Sequence, residues 1–373
     1  MDPIAHTLVG ACLAETRLKR LSVLATPTLI LGANAPDIDS VTILLGQDLS
    51  LGFRRGWTHG VLAMMILPLA LAGLMLLVDR VVTRRHGHLP RARAGPLILL
   101  SYIGVLTHPA LDWLNTYGVR LLMPFDGHWF YGDALFIIDP WVWLLAGAAV
   151  VLAHTQTASA TSAWLALGLV LSVIVSGFGL VPPAARLVWI AGVATIAGLR
   201  AWGGVQTRLP RVATIGLACA TVYIVAMAWG SRVAERQVTE WLAERGTVPV
   251  EIMAGPVPAN PFARAIVVVD RQHYHFLEVN WLNTERIQVS SPAIDRGTVG
   301  RVVEAALAAP HIQGITTWIR FPAYTVEELS DGYRVTIRDV RYARLGRAGF
   351  GDAVVELDRD LRYRPRAPSA ATH

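Results

Sequence analysis

The chain is poor in charge, in lysine and in cysteine. Only 16% of its 373 residues are charged while 53% are hydrophobic, and a soluble domain usually carries nearer a quarter of charged residues. Lys19 is the single lysine, so nearly all the basic residues are arginines. Cys12 and Cys219, the two cysteines, both lie in apolar runs. This placement favours packing as small hydrophobic side chains over a disulfide framework or a cysteine zinc site.

The shortage of charge is concentrated in apolar segments that are long enough to cross a bilayer at about 1.5 Å per residue. Two further stretches, residues 3–15 and 21–35, are short for a full crossing. We therefore predict a mainly α fold, with a polytopic transmembrane helix bundle over residues 1–230 and a C-terminal α+β extramembrane domain over residues 231–373. The long segments are residues 60–78, 96–108, 138–153, 163–180, 184–199 and 212–230.

Arginines in two loops predict how the bundle is oriented. Arg80–Arg93 follow the first long segment and Arg200–Arg211 follow another, so by the positive-inside rule both loops face the cytoplasm. The opposite, periplasmic side then carries the C-terminal domain. The start MDPIAH has no basic region, which predicts insertion through internal segments without a cleaved signal peptide. The arginines lack interleaved aromatic residues, so no nucleic-acid partner is expected.

Histidine and aspartate motifs recur at the ends of the apolar segments, on the side predicted to be periplasmic. Ionisable groups beside lipid are costly to bury and often mark function. Imidazole together with carboxylate is also the ligand set of hydrolytic metal sites. We predict a divalent metal, zinc by preference, bound as one or two ions. The predicted ligands are His6, Asp37, His59, His108, Asp112 and Asp139.

The spacing of His108 and Asp112 (H-P-A-L-D) supports this prediction. Residues four apart lie on one face of a helix and can chelate one ion, although a simple surface pair has the same spacing. Asp37 and Asp39 share a side only if their segment is extended, which Pro36 favours through its effect on Ala35. Alternatively, one of these aspartates caps a helix that starts near Ser40.

Three other predicted metal ligands also have alternative interpretations. His6 follows Asp2 by four residues, but Asp2 is also suited to cap a helix that begins at Pro3. Asp139 precedes Pro140 and is suited to the same capping role. His59 could instead be a buried histidine bonded to a carbonyl oxygen.

Two predicted roles go beyond metal binding. Asp39 is a spare carboxylate that could accept a proton from an attacking water, or support a ligand from behind. Arg55, with its neighbour Arg54, lies on the side where the positive-inside rule disfavours basic residues. Binding an anionic substrate group such as phosphate would explain these arginines, and so would a salt bridge to a nearby aspartate.

These motifs together resemble the YdjM-type family of membrane-bound metal-dependent hydrolases, also described as LexA-binding inner-membrane proteins. The resemblance covers roughly residues 1–145 and implies hydrolase chemistry at a His/Asp metal site. One departure is Arg54, which stands where the family often has a histidine. The matching stretches are MDPIAHTLVG, LGANAPDIDSV, RRGWTHG, THPALDWLNTYGVRLLMPF and GDALFIIDPW.

The C-terminal region has the pattern of a small α+β domain. Alternating polar and apolar residues at Tyr333–Arg338 predict half-buried antiparallel sheet. Helices are expected over residues 231–245 and 299–309. His273 and His275 lie on one side of a strand, where they could bind a metal or simply lie on the surface. The other expected strands are AIVVVD, YHFLEVN, IQVS and DAVVELD.

The leading functional hypothesis is an inner-membrane hydrolase in which metal-activated water attacks an ester or phosphoester. A site at the edge of the bilayer suits a lipid or lipid-linked substrate. The alternative is a non-catalytic membrane protein that binds a regulatory partner. A transporter is disfavoured, because the long segments carry their ionisable residues at the ends and not near the bilayer midplane. The oligomeric state is left open.

Overall fold

A computed structural model describes residues 1–86, 91–204, 208–342 and 351–365. The expected fold class is confirmed: a helical membrane region precedes an α+β region with two antiparallel sheets. The α-helices of the described residues are α1 (Pro3–Ala14), α2 (Ala25–Asn34), α3 (Gln47–Phe53), α4 (Val61–His86), α5 (Ala94–Trp113), α6 (Pro140–His154), α7 (Ala158–Gly177), α8 (Pro183–Trp202), α9 (Leu209–Ala243), α10 (Arg301–Leu307) and α11 (Gln313–Trp318).

Six stretches of the described residues are long and apolar enough to cross a membrane. Helices α4, α5, α7, α8 and α9 supply five of them. The sixth is Ala25–Leu45, because α2 continues directly into a 3-10 helix over Ala35–Leu45. Helices α1 and α6 are shorter apolar helices, as expected for α1 but not for α6. The predicted domain boundary at residue 230 lies within the unbroken helix α9.

Aspartates start two of the short helices. The Asp2 carboxylate accepts hydrogen bonds from the main-chain nitrogens of Ile4 and Ala5 and thereby caps α1, whose first residue is Pro3. Asp139 caps α6 in the same way, with Pro140 in the first turn. Each cap satisfies main-chain donors that have no partner inside the helix, and proline has no such donor to satisfy.

Glycines allow α1, α2 and α5 to pack closely. A Cβ atom at Gly32 would lie 3.1 Å from the Cα of Gly104, and one at Gly10 would lie 2.8 Å from the carbonyl oxygen of Leu29. Small residues at helix crossings permit this approach of two backbones within a membrane. The close packing brings the first turn of α1, the end of α2 and the end of α5 to one end of the bundle.

The C-terminal region contains two four-stranded antiparallel sheets with sequential strand order. The predicted strands and the predicted helix over residues 299–309, observed as α10, are confirmed. The helix expected over residues 231–245 is the end of α9. The strands are β1 (Glu251–Val257), β2 (Asn260–Val269), β3 (His273–Asn280), β4 (Ile287–Asp295), β5 (Pro322–Leu329), β6 (Gly332–Asp339), β7 (Asp352–Asp358) and β8 (Tyr363–Arg364).

This sheet region is attached to the bundle beside the loop that follows α5. The Trp318 indole donates to the carbonyl oxygen of Tyr117 at 3.3 Å, and Arg341 donates to the carbonyl oxygen of Thr116 at 2.7 Å. Arg320 forms an ion pair with Asp133 at 2.8 Å. The contacts place the sheets at the same end of the bundle as the histidine and aspartate motifs.

Candidate metal centre

Four of the predicted ligands converge at that end of the bundle. Asp37, His59, His108 and Asp112 each offer one ligand atom, and these atoms lie within 4.8 Å of one another. Asp37 comes from the 3-10 helix and His59 from the turn before α4. His108 and Asp112 lie in the last turns of α5, one helical turn apart, as their spacing predicts.

The distances between the converging atoms are short. Oδ2 of Asp112 lies 3.2 Å from Nε2 of His59 and 3.6 Å from Nε2 of His108. Oδ1 of Asp37 lies 3.5 Å from Nε2 of His108. Neither of these two imidazole nitrogens has a hydrogen-bond partner among the described residues, although both are fully buried. Buried polar atoms normally have partners, and a shared cation would satisfy both nitrogens and both carboxylates.

The other ring nitrogen of each histidine is already engaged. Nδ1 of His108 lies 2.7 Å from the carbonyl oxygen of Ala33. A carbonyl oxygen only accepts, so Nδ1 carries the proton and the neutral ring has its lone pair on Nε2. Histidines that bind metals commonly donate their second nitrogen in this way, which sets the tautomer and the ring orientation.

His59 is held by a short chain of hydrogen bonds. Its Nδ1 lies 2.9 Å from the Thr58 hydroxyl, and that hydroxyl donates to Oδ2 of Asp39 at 2.7 Å. With the hydroxyl proton directed at the carboxylate, the Thr58 oxygen is free to accept from Nδ1 of His59. Nε2 of His59 is then left facing Asp112 with its lone pair.

The residues fit a divalent cation by their chemistry as well as their position. Two imidazole nitrogens and two carboxylate oxygens form a mixed N/O set of the kind that binds zinc and related ions. Three of the four side chains are fully buried, and Asp37 is 15% exposed. These residues could hold a metal ion, and their open side is the side of Asp37.

His6 borders the group without joining it. Its ring stacks on the ring of His108 with 3.7 Å between centroids, and its Nε2 lies 3.2 Å from Oδ1 of Asp112. The amino group of Met1 also contacts this oxygen. Asp112 thus directs one oxygen towards the converging ligands and the other towards His6.

The extended conformation predicted for Asp37 and Asp39 is wrong. Their segment is a 3-10 helix with Ala35 in the right-handed helical region and Pro36 in the first turn, where its missing N–H is not needed. Three residues complete a 3-10 turn, so the two carboxylates point in different directions. Asp37 faces His108, whereas Asp39 lies behind His59.

Arg55 is part of the buried centre. Its side chain is 3% exposed, and its Nε lies 2.9 Å from Oδ2 of Asp112. Nη1 donates to Asn115 at 2.7 Å, and the guanidinium lies over the ring of Tyr117. The backbone φ of 53° is in the left-handed region, which is unfavourable for a residue with a side chain. A hydrogen bond from its N–H to Oδ2 of Asp39 helps to hold this conformation.

Other residues singled out in the sequence lie elsewhere. Both oxygens of Asp139 are engaged, one in the cap of α6 and the other by the Tyr223 hydroxyl at 2.9 Å, as its capping interpretation predicts. His154 lies 3.2 Å from Glu15. Asp133 pairs with Arg320, and burial raises the pKa of its carboxyl even though Arg320 opposes this effect.

Three supporting groups had no role in the sequence interpretation: the Thr58 hydroxyl, the Ala33 carbonyl and the Asn115 side chain. Thr58 directly precedes His59, and this adjacency to a predicted ligand could have indicated its supporting role. The Ala33 carbonyl carries no side-chain signal. Asn115 follows Asp112 by three residues, so its position near the end of α5 could have indicated a role.

A cavity of about 640 Å³ lies elsewhere, with Trp143, Trp164 and Trp189 in its largely apolar lining. None of the four converging residues lines it. The cavity and the four converging residues therefore lie in different parts of the bundle. An apolar gap between membrane helices is a place that lipid tails can fill, whereas the converging polar side chains offer ligand atoms.

Comparison with known proteins identifies relatives of the membrane region. Residues 1–184 match the family model of the YdjM inner membrane protein. The uncharacterized protein YfhP of Bacillus subtilis (strain 168) is 23% identical over 163 residues, which is 41% of this chain and 46% of that protein. The chain thus spans less than half the length of this relative.

No solved structure matches the chain. All four converging residues lie within the range that the family model matches, as do the Thr58–Asp39 contacts behind them. With six candidate spans among the described residues, this is a multi-pass inner membrane protein whose residues 1–184 match the YdjM inner membrane protein family.

Proposed function

We propose that this protein is a metal-dependent hydrolase of the inner membrane that cleaves an ester or phosphoester. One observation carries the proposal: Nε2 of His59 and Nε2 of His108 are buried, unpartnered and aimed at the carboxylates of Asp37 and Asp112. Their Nδ1 atoms are engaged on the outside of the group. This arrangement is typical of metal ligands and unusual for histidines that only stabilise a fold.

Asp37, His59, His108 and Asp112 would hold the ion, with zinc as the preferred metal. When bound, the metal would supply Lewis-acid activation of a water molecule and of the scissile bond. His6 would support Asp112 from the other side, and its contact with Oδ1 is where a second ion could be accommodated. Asp139, engaged in its cap, is left out of the proposed ligand set.

Arg55 and Asp39 act on the ligands in this proposal. Arg55 offsets the negative charge of Asp112 through its ion pair and is too buried to receive a substrate. Asp39 orients His59 through Thr58. Its Oδ1 has no hydrogen-bond partner among the described residues, so proton acceptance by Asp39 stays a prediction beside this positioning role.

The site and the sheet region are proposed to face the periplasm. The supporting observation is the set of arginines at the opposite ends of the helices, which include Arg80 after the first long apolar segment and Arg211 in α9. A reporter fused after the last residue tests this orientation. Activity of a periplasmic reporter such as alkaline phosphatase is expected, and activity only of a cytoplasmic reporter would contradict it.

The decisive experiment measures metal content and hydrolysis on the purified full chain. The wild type should retain about one or two zinc ions, and His59→Ala and Asp112→Ala should lose them. His154→Ala is the matched control, because it removes a membrane-domain histidine outside the group. Turnover of bis(p-nitrophenyl) phosphate or a fluorogenic ester should follow the metal content.

Different outcomes reject different parts of the proposal. A wild type without metal, or unchanged metal content in both variants, rejects the metal site. Metal binding with no turnover of any ester or phosphoester favours the non-catalytic alternative.

A further inference from the structure

Arg54 lies at the open side of the metal centre. Its Nη2 is 3.7 Å from Oδ1 of Asp37, and its Nε is 3.9 Å from Oδ1 of Asp39. Both distances exceed a hydrogen bond, and Nε has no hydrogen-bond partner among the described residues although it is buried. The side chain is 25% exposed. Arg54 therefore keeps donors available beside the one ligand that solvent or substrate can reach.

The surface around this opening is apolar. Ile38, Val41 and Leu44 project from the 3-10 helix and are 67%, 59% and 84% exposed. They belong to the candidate membrane span Ala25–Leu45. Trp57, three residues after Arg54, is 53% exposed, and tryptophan is enriched where hydrocarbon meets headgroups.

Described residues cover the centre from other directions. Above it, Asn115 and Tyr117 are buried, and Trp318 of the sheet region covers Tyr117 with 5.0 Å between ring centroids. Within the bundle, α1 and α5 pack around the ligands, and the His6 side chain is fully buried. A substrate must therefore come in past Arg54 and the exposed apolar side chains of the 3-10 helix.

We propose that the substrate is an amphiphile with an anionic phosphoester headgroup, which enters sideways from the bilayer and is bound by Arg54. The inference rests on the proposed function and adds its substrate class and route. Exposed apolar side chains in a spanning segment are stable against lipid tails, while a guanidinium with free donors binds phosphate as a bidentate partner. Lipid tails would lie along Ile38 and Leu44, and the phosphoester would reach Arg54 beside Asp37.

Binding to the zinc-loaded full chain in detergent tests the role of Arg54. The probes are dihexanoyl phosphatidic acid, inorganic phosphate and dihexanoylglycerol, with dissociation constants from calorimetry. Arg54→Gln should weaken phosphatidic acid binding at least about tenfold, since a hydrogen bond to a charged group contributes about 1.5–3 kcal/mol. Arg186→Gln is the matched control, because Arg186 lies outside the metal centre and donates to the main-chain oxygens of Val181 and Phe178 in the turn before α8.

Each outcome supports or overturns the inference. Equal phosphatidic acid affinity in wild type and Arg54→Gln overturns the role of Arg54. Inorganic phosphate binding as tightly as phosphatidic acid overturns the amphiphile, and dihexanoylglycerol doing so overturns the anionic headgroup. Metal content is measured on the same samples. A wild type without metal that still shows Arg54-dependent binding defeats the proposed function and supports only the recognition of the anionic amphiphile by Arg54.

A second measurement tests the route without changing Arg54. Spin labels are placed at Leu44→Cys and, as a reference in the sheet region, at Val326→Cys, in a Cys219→Ser background in nanodiscs. Cys12 is buried and should not react. The label at position 44 should be relaxed more by oxygen than by a water-soluble nickel complex, and the label at 326 should show the reverse. Aqueous accessibility at position 44 overturns entry from the bilayer.

Discussion

Two groups of histidines and aspartates in this chain are made of the same side chains but differ in surroundings. His59, His108 and Asp112 are fully buried at the end of the helix bundle. His273 and His275 lie 41% and 44% exposed on β3, near Asp270 at the preceding turn. Both groups were singled out in the sequence as potential metal ligands. The difference between them lies in burial and in the direction of each ring nitrogen.

In the exposed group the nitrogen of His275 is already satisfied. Its Nε2 pairs with Oδ2 of Asp270 at 2.5 Å, whereas Nδ1 of His273 is 3.9 Å from Oδ1. In the buried group the Nε2 atoms of His59 and His108 are unpartnered among the described residues. Residue type and spacing therefore do not define a metal site. Unpartnered atoms held by outer hydrogen bonds are the more specific feature.

The largest expected effect comes from removing one histidine from each group. His108→Ala should weaken zinc binding by more than about 100-fold, the upper range for loss of a supporting group, because a direct ligand is lost. His275→Ala should leave zinc binding unchanged. Competition with a fluorescent zinc chelator measures both. An equal loss in the two variants would erase the distinction between the groups.

Metal removal should destabilise the bundle and leave the sheet region almost unaffected. At metal concentrations 100 times the dissociation constant, binding stabilises the folded state by about 2.7 kcal/mol. After chelation, hydrogen exchange in α5 near His108 should therefore accelerate, with no change in β2 and β3 around His275. Mass spectrometry of peptides from both regions provides the measurement. Equal hydrogen-exchange protection of α5 with and without zinc would contradict a stabilising ion.

Replacing the carboxylates that support histidines should give a smaller effect. Asp39→Asn should weaken zinc binding about 10–100-fold, the usual range for a group that orients a ligand, because Asp39 accepts the hydrogen bond of Thr58 behind His59. Asp270→Asn is the matched control in the exposed group. If Asp39→Asn binds zinc like the wild type, its contacts serve only to hold Arg55 and the turn.

The smallest expected effect is a change in acid stability at Asp270. Although desolvation acts to raise the pKa of this carboxyl, hydrogen bonds from His275 and the main chain lower it from 3.8 to about 2. A lowered pKa contributes stability above the unfolded value, and this is lost as pH falls from about 4 to about 2. Asp270→Asn should remove this dependence.

The change at Asp270 should amount to less than about 1 kcal/mol, because the group is close to solvent. Unfolding of the full chain in detergent, followed by circular dichroism in steps from pH 5 to pH 2, provides the measurement. A larger change would mean that this exposed pair contributes more to the fold than its surroundings indicate.

Much of the bundle could be predicted from the sequence because apolar length determines which helices can span a bilayer. The predicted segments 96–108 and 163–180 correspond to α5 and α7, although their ends differ from the observed ones by two to five residues. The 3-10 helix over Ala35–Leu45 could not be predicted, since Pro36 is compatible with either an extended turn or a first helical turn. Tertiary packing decided between these two conformations.

Three strands also escaped prediction: β1, β5 and the two-residue β8, and for β1 and β5 there is a physical reason. β1 contains Pro256 and β5 begins at Pro322, and proline weakens a strand pattern because it cannot donate to a sheet. Both strands lie at an edge of their sheet, where proline is tolerated.

The four converging residues were all predicted as ligands, but the sequence did not show which neighbouring residues only support them. The spacing of His108 and Asp112 predicted that they share a site. Asp37 and His59 were added because they lie at the same predicted membrane face. Sequence could not separate Arg54 from Arg55, because their roles depend on which way each side chain turns from a backbone with positive φ at Arg55. Such directions are set by three-dimensional contacts with Asp112 and Asn115.

Helix α9 has a mechanical consequence. Its 35 residues run without interruption from Leu209 to Ala243, a length of roughly 50 Å at 1.5 Å per residue, whereas the hydrocarbon core is about 30 Å thick. The continuous helix therefore extends beyond the hydrocarbon core and fixes the distance between the bilayer and the sheets. Inserting one residue in it would lift the sheets by about 1.5 Å and rotate them by about 100°, out of alignment with the loop that holds Tyr117.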